Sequence, residues 1–346
     1  MAAMFTSLDY HYMARALRLA ERALYTTDPN PRVGCVLVSD GNIVGEGFHA
    51  RAGKPHAERH ALAAAGEKAR GATAYVPLEP CAHTGRTGPC ADALVEAGVA
   101  RVVAAMEDPN PQVAGRGLKR LVDAGLDVAV GLMEADARAL NPGFFLRMSQ
   151  GRPLIRLKAA ASLDGRTAMA SGESQWITGP EAREDVQRLR ARSSAIVTGI
   201  GTVLADRPSY TVRPEQWRHG EYGDGPVRAP LRVILDPALR TPVDSPVVTA
   251  DGPCLIAHAD DPGAAPEERR RALEHAGAEL VALPRARATS DPAEPGPATR
   301  AGPHGLARPA TRAARTPRQC HGPLVEGCRT HRHAMRREAQ ARHTPR

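Results

Sequence analysis

Ala and Leu recur at the spacing of one helix face between residues 9 and 25 (DYHYMARALRLAERALY), which predicts an amphipathic helix. Asp28-Pro29-Asn30-Pro31 breaks it. The unbroken apolar run 33–38 predicts a buried strand, and Asp40-Gly41 a two-residue hairpin turn, with 43–49 pairing back. After Lys54-Pro55, an Ala-rich run to Arg70 predicts a helix with His56 and Glu58 in its first turn. Strands at 72–78, 100–106 and 127–131 then alternate with helices at 90–98, 114–124 and 133–148. The alternation predicts an α/β/α layer domain over 1–150.

Arg152-Pro153 opens a second α/β unit over 151–284. Its predicted strands are 154–158, 195–198, 231–235, 253–257 and 279–283, with helices at 180–192 and 265–276. Thr178-Gly179-Pro180 starts the first of these helices, with Pro in the first turn. From 285 to 346 the pattern stops. The large aliphatics there are Leu306, Leu324, Val325 and Met335, with no Ile, Phe, Tyr or Trp. So little apolar surface does not offset an ordering entropy of about 1–2 kcal/mol per residue. The expectation is an Arg/Pro-rich disordered tail whose length is kept but whose content changes abruptly, as in a stretch translated out of frame. The second unit is then incomplete.

Charge sharpens this division. The chain carries a formal +8 over 346 residues, but the tail holds 13 Arg against 4 acidic residues, leaving 33 basic and 34 acidic groups in the rest. The body is electrically balanced, and aromatic residues make up only 3%. Both observations argue against a nucleic-acid partner, which would use a basic face and stacking platforms. No stretch approaches 18 apolar residues and the start lacks a leader pattern, so a soluble, cytoplasmic protein without a membrane partner is expected. Six cysteines in so long a chain do not form a disulfide framework.

The candidate chemistry lies in His56-Ala57-Glu58 and in Pro80-Cys81 through Pro89-Cys90. A His-x-Glu alone on a helix is commonly a solvated pair. Two Pro-Cys elements at strand-to-helix junctions add two thiols, and one imidazole with two thiolates supplies three of the four positions around zinc. The fourth position stays open for water, and Glu58 is placed to take a proton from it and return it to a leaving amine. H-x-E followed by P-C and a further Cys is a zinc-deaminase pattern, here with eight residues between the thiols. Helix N-termini under His56, Glu58 and Cys90 favour bound anions and thiolates. Cys35 and Cys254 sit in apolar strands and are read as core. His49 and His60 are read as structural, and Lys158 with Asp164 either as an ion pair or as lining for a cofactor cleft. Cys320, Cys328, His321, His331 and His333 are read as a chance cluster in the tail.

HAE, LEPCAHTGRTGPC, EDPNPQVAGRG, KAAASLDGRTAMASGESQWIT and TVLADRPSYTVR together resemble the bifunctional deaminase/reductase family of riboflavin biosynthesis, from about residue 8 to 284. The resemblance implies a cytidine-deaminase-like domain followed by a dihydrofolate-reductase-like one. It implies Zn2+ and NADPH as cofactors, a small pyrimidine nucleotide as substrate, and a homo-oligomer. The first implied step is hydrolytic deamination of 2,5-diamino-6-ribosylamino-4(3H)-pyrimidinone 5′-phosphate. The second is reduction of 5-amino-6-(5-phosphoribosylamino)uracil to the ribityl product. By resemblance His56, Cys81 and Cys90 are zinc ligands, Glu58 the proton shuttle, and Asn30 and the 83–86 loop substrate contacts, with Arg86 suited to the phosphate. Ala160, Trp176, Thr202 and Asp206 would face NADP, and Ser174, Arg190, Tyr210 and Arg213 the reductase substrate. The family's Leu-Val-Glu-Ala-Gly strand has only an echo at Leu324-Val325-Glu326-Gly327, to which no role is carried. Two alternatives stand beside this reading: deamination alone, and a nucleic-acid base deaminase.

Overall fold

The computed structural model describes residues 5–82, 88–111, 113–174, 176–216, 227–261, 266–284 and 324–326. Helix α1 (Ser7–Glu21) starts two residues before the apolar pattern. The reason is a capping box: Thr6 Oγ1 accepts from Asp9 N at 3.2 Å, and the Asp9 carboxylate accepts from Thr6 N at 2.8 Å. Strand β1 (Gly34–Ser39) and β2 (Asn42–Phe48) form the expected hairpin. There follow α2 (Ala57–Ala65), a 3-10 turn at 66–69, β3 (Thr73–Val76), α3 (Cys90–Glu96), β4 (Arg101–Ala104), α4 (Arg116–Asp123) and β5 (Asp127–Val130).

These strands make one sheet in the order β2-β1-β3-β4-β5, antiparallel at β2-β1-β3 and parallel from β3 to β5. Two cores lie on its faces. One gathers Met13, Ala16 and Leu17 of α1 with Val36, Tyr75 and Val103. The other gathers Ala57, Ala61, Ala91, Leu94 and Leu121 with Leu37 and Val102. Small residues let α2 approach very closely. A Cβ on Gly47 would stand 2.5 Å from the Ala57 carbonyl oxygen, so only glycine lets β2 meet the first turn of α2.

The single helix expected at 133–148 is two, α5 (Glu134–Leu140) and α6 (Pro142–Gln150). Pro142 opens α6, and Asn141 between them bonds both backbone groups of Arg32, accepting from its N at 2.8 Å and donating to its O at 3.0 Å. A distant side-chain partner therefore decides the break.

The second sheet contains β6 (Leu154–Arg156), β7 (Ala195–Gly199), β8 (Leu231–Leu235), β9 (Cys254–Ala259), β10 (Ala278–Leu283) and β11 (Leu324–Glu326), in the order β10-β9-β8-β7-β11-β6. Strands β7 to β10 run parallel, and β11 is antiparallel to both β6 and β7. Helices α7 (Pro180–Arg192), α8 (Ile200–Asp206), α9 (Pro246–Thr249) and α10 (Glu267–His275) accompany it. Helix α8 follows β7 directly, with Gly199 as its N-cap. The tail was expected to be disordered, and most of it lies outside the described residues, as do the possible frame change and the Cys/His cluster there. Residues 324–326 correct that expectation, since they form a strand inside the sheet. The segment carries the apolar pair Leu-Val, enough for one short strand where two neighbours supply the ladder. Of the two readings offered for Lys158 and Asp164, the ion pair does not form: Asp164 bonds Arg166 at 3.0 Å. Among the described residues no helix is long and apolar enough to cross a membrane.

Candidate metal centre and substrate cavity

His56 is the N-cap residue of α2 and Glu58 lies in its first turn. Cys81 follows β3, and Cys90 begins α3. The Arg59 guanidinium ties the two halves by donating to the carbonyls of Gly88 at 3.0 Å and Pro89 at 3.3 Å. His56 Nδ1, Cys81 Sγ and Cys90 Sγ all lie within 4.8 Å of one another. His56 Nδ1 is 3.6 Å from Cys81 Sγ and 3.3 Å from Cys90 Sγ. Zinc bonds of about 2.0 Å to N and 2.3 Å to S at tetrahedral angles require an N···S edge of about 3.5 Å. The donors are therefore already spaced for that ion.

The three donors are electrostatically coupled. Cys81 is held toward its thiolate by hydrogen bonds from the Cys90 thiol, His56 and the Cys90 backbone N–H, while Cys90 keeps its proton in that pair. The hydrogen bond to Cys81 raises the His56 pKa. Burial pushes the Glu58 carboxyl up, and its Oε2 is buried with no hydrogen-bond partner among the described residues. A buried, unsatisfied carboxylate oxygen beside an open coordination position is what a proton carrier requires.

His56, Glu58 and Cys81 open on a cavity of about 290 Å3. One wall is Pro29, Asn30 and Pro31, and another is Phe144, Arg147 and Met148 of α6. His49, read as structural, also lines it. Its Nδ1 stands 3.0 Å from Pro55 O, and its Nε2 stands 3.0 Å from the Asn30 amide nitrogen. A neutral ring protonated on Nδ1 serves both contacts, and burial lowers its pKa, which favours that neutral form. His60, by contrast, is exposed.

The remaining wall depends on Glu79. Its buried carboxylate accepts four backbone N–H groups, from Asp108 (3.0 Å), Gly115 (2.9 Å), Gly117 (2.7 Å) and Leu118 (3.2 Å). This one side chain fixes the loop that places Asp108 and Asn110 in the cavity. A Cβ on Gly117 would stand 1.8 Å from Pro80 O, so that position requires glycine. The sequence reading missed Glu79, Asp108, Asn110 and Arg147. Glu79 sits beside Pro80-Cys81, and its position in that motif was the available signal. Arg147 had none, because its helix looked like plain packing. Arg86 and the 83–86 loop lie outside the described residues.

In the second unit the structure gathers Lys158, Arg190, Tyr210 and Arg213. Arg190 lies over the Tyr210 ring at 5.7 Å and donates to Thr211 O at 3.1 Å. Burial, with the Arg213 charge beside it, pushes Arg190 down to about 10, and Lys158 is lowered by burial and by Arg190. Such crowding of cations favours an anionic ligand. Tyr210 adopts φ 52° while its hydroxyl lies 3.2 Å from Thr198 Oγ1, a left-handed backbone that the surroundings must hold. Ala160, Ser174 and Trp176 come instead from the irregular stretch between β6 and α7, and Thr202 and Asp206 from α8. Trp176 is 70% exposed, with Arg183 stacked over it at 4.5 Å, so it is not a core residue. Cys35 and Cys254 are buried, as expected.

Comparison with known proteins places both halves. Residues 6–106 match the model of the cytidine and deoxycytidylate deaminase zinc-binding region, and 153–288 that of the RibD C-terminal domain. The riboflavin biosynthesis protein RibD of Escherichia coli is 64% identical over 239 residues, covering 68% of this chain and 65% of that protein. That of Aquifex aeolicus is 46% identical over 256 residues, covering 73% and 69%. The solved structure of Acinetobacter baumannii RibD superposes with a TM-score of 0.71 at 47% identity, covering 80% of this chain and 74% of that one. The Thermotoga maritima diaminohydroxyphosphoribosylaminopyrimidine deaminase/5-amino-6-(5-phosphoribosylamino)uracil reductase gives 0.67 at 34% identity, covering 79% and 80%. This chain spans 65% and 63% of the Escherichia coli and Haemophilus influenzae proteins, under two thirds of their length.

Proposed function

The chain belongs to the RibD family of riboflavin biosynthesis proteins, and from that premise we propose that it deaminates a diaminopyrimidine ribonucleotide 5′-phosphate and then reduces the product with NADPH. The division of labour is residues 1–150 for the first step and 151–284 for the second. The observation that carries the first step is the trio His56, Cys81 and Cys90 spaced for zinc beside the unsatisfied, buried Glu58.

His56, Cys81 and Cys90 would hold Zn2+, which when bound supplies a Lewis acid that makes water a better nucleophile at neutral pH. Glu58 takes the proton from the attacking water and returns it to the departing amino group, so ammonia leaves and a carbonyl replaces it. Asn30, oriented by His49, hydrogen-bonds the base from the opposing wall. Arg147 offers a guanidinium to the phosphate within the same cavity.

At the second site NADPH would supply the hydride that opens the ribose to a ribityl chain. Arg190, Arg213 and Lys158 hold the substrate phosphate, while Ser174 and Tyr210 orient the sugar. Ala160, Trp176, Thr202 and Asp206 face the cofactor. A second reading, deamination alone, is supported by the aliphatic-poor sequence after 285. A homo-oligomer acting in the cytoplasm fits either reading.

One assay separates them. Purified protein given the diaminopyrimidine nucleotide releases ammonia and then consumes NADPH if both steps are present. Ammonia without NADPH oxidation leaves the deaminase alone, and no ammonia overturns the proposal.

A further inference from the structure

Asp28 stands two residues before Asn30, and its carboxylate reaches the second unit. Its Oδ1 accepts from Ser194 Oγ at 2.6 Å, and its Oδ2 lies 3.5 Å from Arg228 Nη2. The same Arg228 nitrogen donates to Ser193 O at 2.6 Å, and Arg228 N donates to Tyr25 O at 3.5 Å. Around this polar contact, Tyr25 and Ala191 form a buried apolar cluster with Leu24, Val212 and Val227. The side chains of Asp28 and Arg228 are only 14% and 10% exposed. A largely buried carboxylate keeps its place only while its partners compensate it. If Ser194 is lost, Asp28 gains by turning toward water, and Pro29 follows it.

The displaced segment would be a wall of the first site. Pro29, Asn30 and Pro31 line the cavity, and Asn30 N donates to Thr27 O at 2.9 Å to close the turn. His56, Glu58 and Cys90 ride on α2 and α3 and are positioned by other contacts.

We propose that Asp28 is a positioning residue through which Ser194 and Arg228 of the second unit hold the substrate-facing wall of the first site. The kinetic consequence rests on the deaminase reading above; the structural one does not. Because the wall binds the base and moves no proton, its loss weakens substrate binding and leaves the chemical step intact.

The test uses the full-length, zinc-loaded chain with Ser194→Ala, which removes one hydroxyl, and Arg228→Met as a second variant. Amide hydrogen exchange is followed across residues 26–32, alongside the kinetics of ammonia release from the diaminopyrimidine nucleotide. Exchange at Asn30 is expected to speed up about tenfold in Ser194→Ala as the turn opens. KM rises about five-fold, the worth of one hydrogen bond, with kcat within about two-fold and zinc content unchanged. Unchanged exchange in both variants overturns the proposal. So does faster exchange with an unaltered KM, or a fall in kcat alone. If the unmutated chain releases no ammonia, the deaminase reading falls, and the exchange result still decides whether Asp28 holds the wall.

Discussion

At the first site three donor atoms lie within 4.8 Å of one another and Glu58 is 3% exposed. At the second, Trp176 is 70% exposed, and Ile155, Leu157 and Leu163 of the same unit also face solvent. The contrast follows from how each sheet is completed. Every strand of the first lies within residues 34–130, and His56, Cys81 and Cys90 all stand between β2 and β4 in the chain. The second joins β6 to β7 only through β11, which arrives from 324–326. A site built from nearby segments closes when its own sheet closes. One that waits on a distant strand depends on a long loop being ordered.

The comparison is most sharply tested at Glu58. Glu58→Gln is expected to lower ammonia release by about 10²–10⁴-fold while zinc stays bound and NADPH-dependent reduction is untouched. Metal analysis with both assays checks this, and equal loss of both activities would mean the sites are not separate. In the opposite direction, Arg190→Ala raises the reductase KM by about 10–100-fold, the worth of a charge-assisted hydrogen bond, with ammonia release unchanged.

Two variants probe closure of the sheets. Gly47→Ala forces α2 away from β2 and costs about 1–3 kcal/mol, with reduced zinc occupancy, because His56 and Glu58 ride on that helix. Calorimetry and metal content report it. Val325→Pro interrupts a strand paired on both sides and costs about 1 kcal/mol in the second unit, the worth of a lost ladder bond, without changing ammonia release. If thermal unfolding is unaltered, β11 contributes nothing, and the contrast between the halves loses its explanation.

The smallest effect concerns the cap of α1. Burial works to raise the Asp9 pKa, but hydrogen bonds from Thr6, Tyr75 and Arg101 outweigh it and hold the group at about 2, below its ordinary 3.8. A depressed carboxylate stabilises the fold above its unfolded pKa and loses that contribution as pH falls through the folded one. Stability should therefore be flat above pH 4 and decline between pH 4 and 2. Asp9→Asn lowers the plateau and flattens that decline in acid-unfolding curves.

Much of the first half was legible because its signals are local. His56 and Cys90 sit at helix starts and Cys81 just past a strand, junctions that apolar patterning and Pro mark without help. The break between α5 and α6 was not legible, because Asn141 answers to Arg32, 109 residues away. Nor was the part played by Glu79, whose four partners lie 29 to 39 residues downstream. Nor was the contact of His49 with Asn30, 19 residues away. In the second half, only the structure decided between the two readings of Lys158 and Asp164, since a turn lets Arg166 take that carboxylate.

The order of residues alone determined most of the helices and strands of the first 150 residues, where the three donors stand along the chain, and that an acid accompanies them, since these depend on periodicity and on neighbours a few positions apart. Only the folded arrangement decided that the donors converge, that Glu79 holds a cavity wall, that Leu324–Glu326 enters a sheet, and that Asp28 meets Ser194. Those facts depend on distances through space between segments that the chain keeps far apart, and only the burial of the hydrophobic cores and the hydrogen-bonded ladders of both sheets fixes such distances.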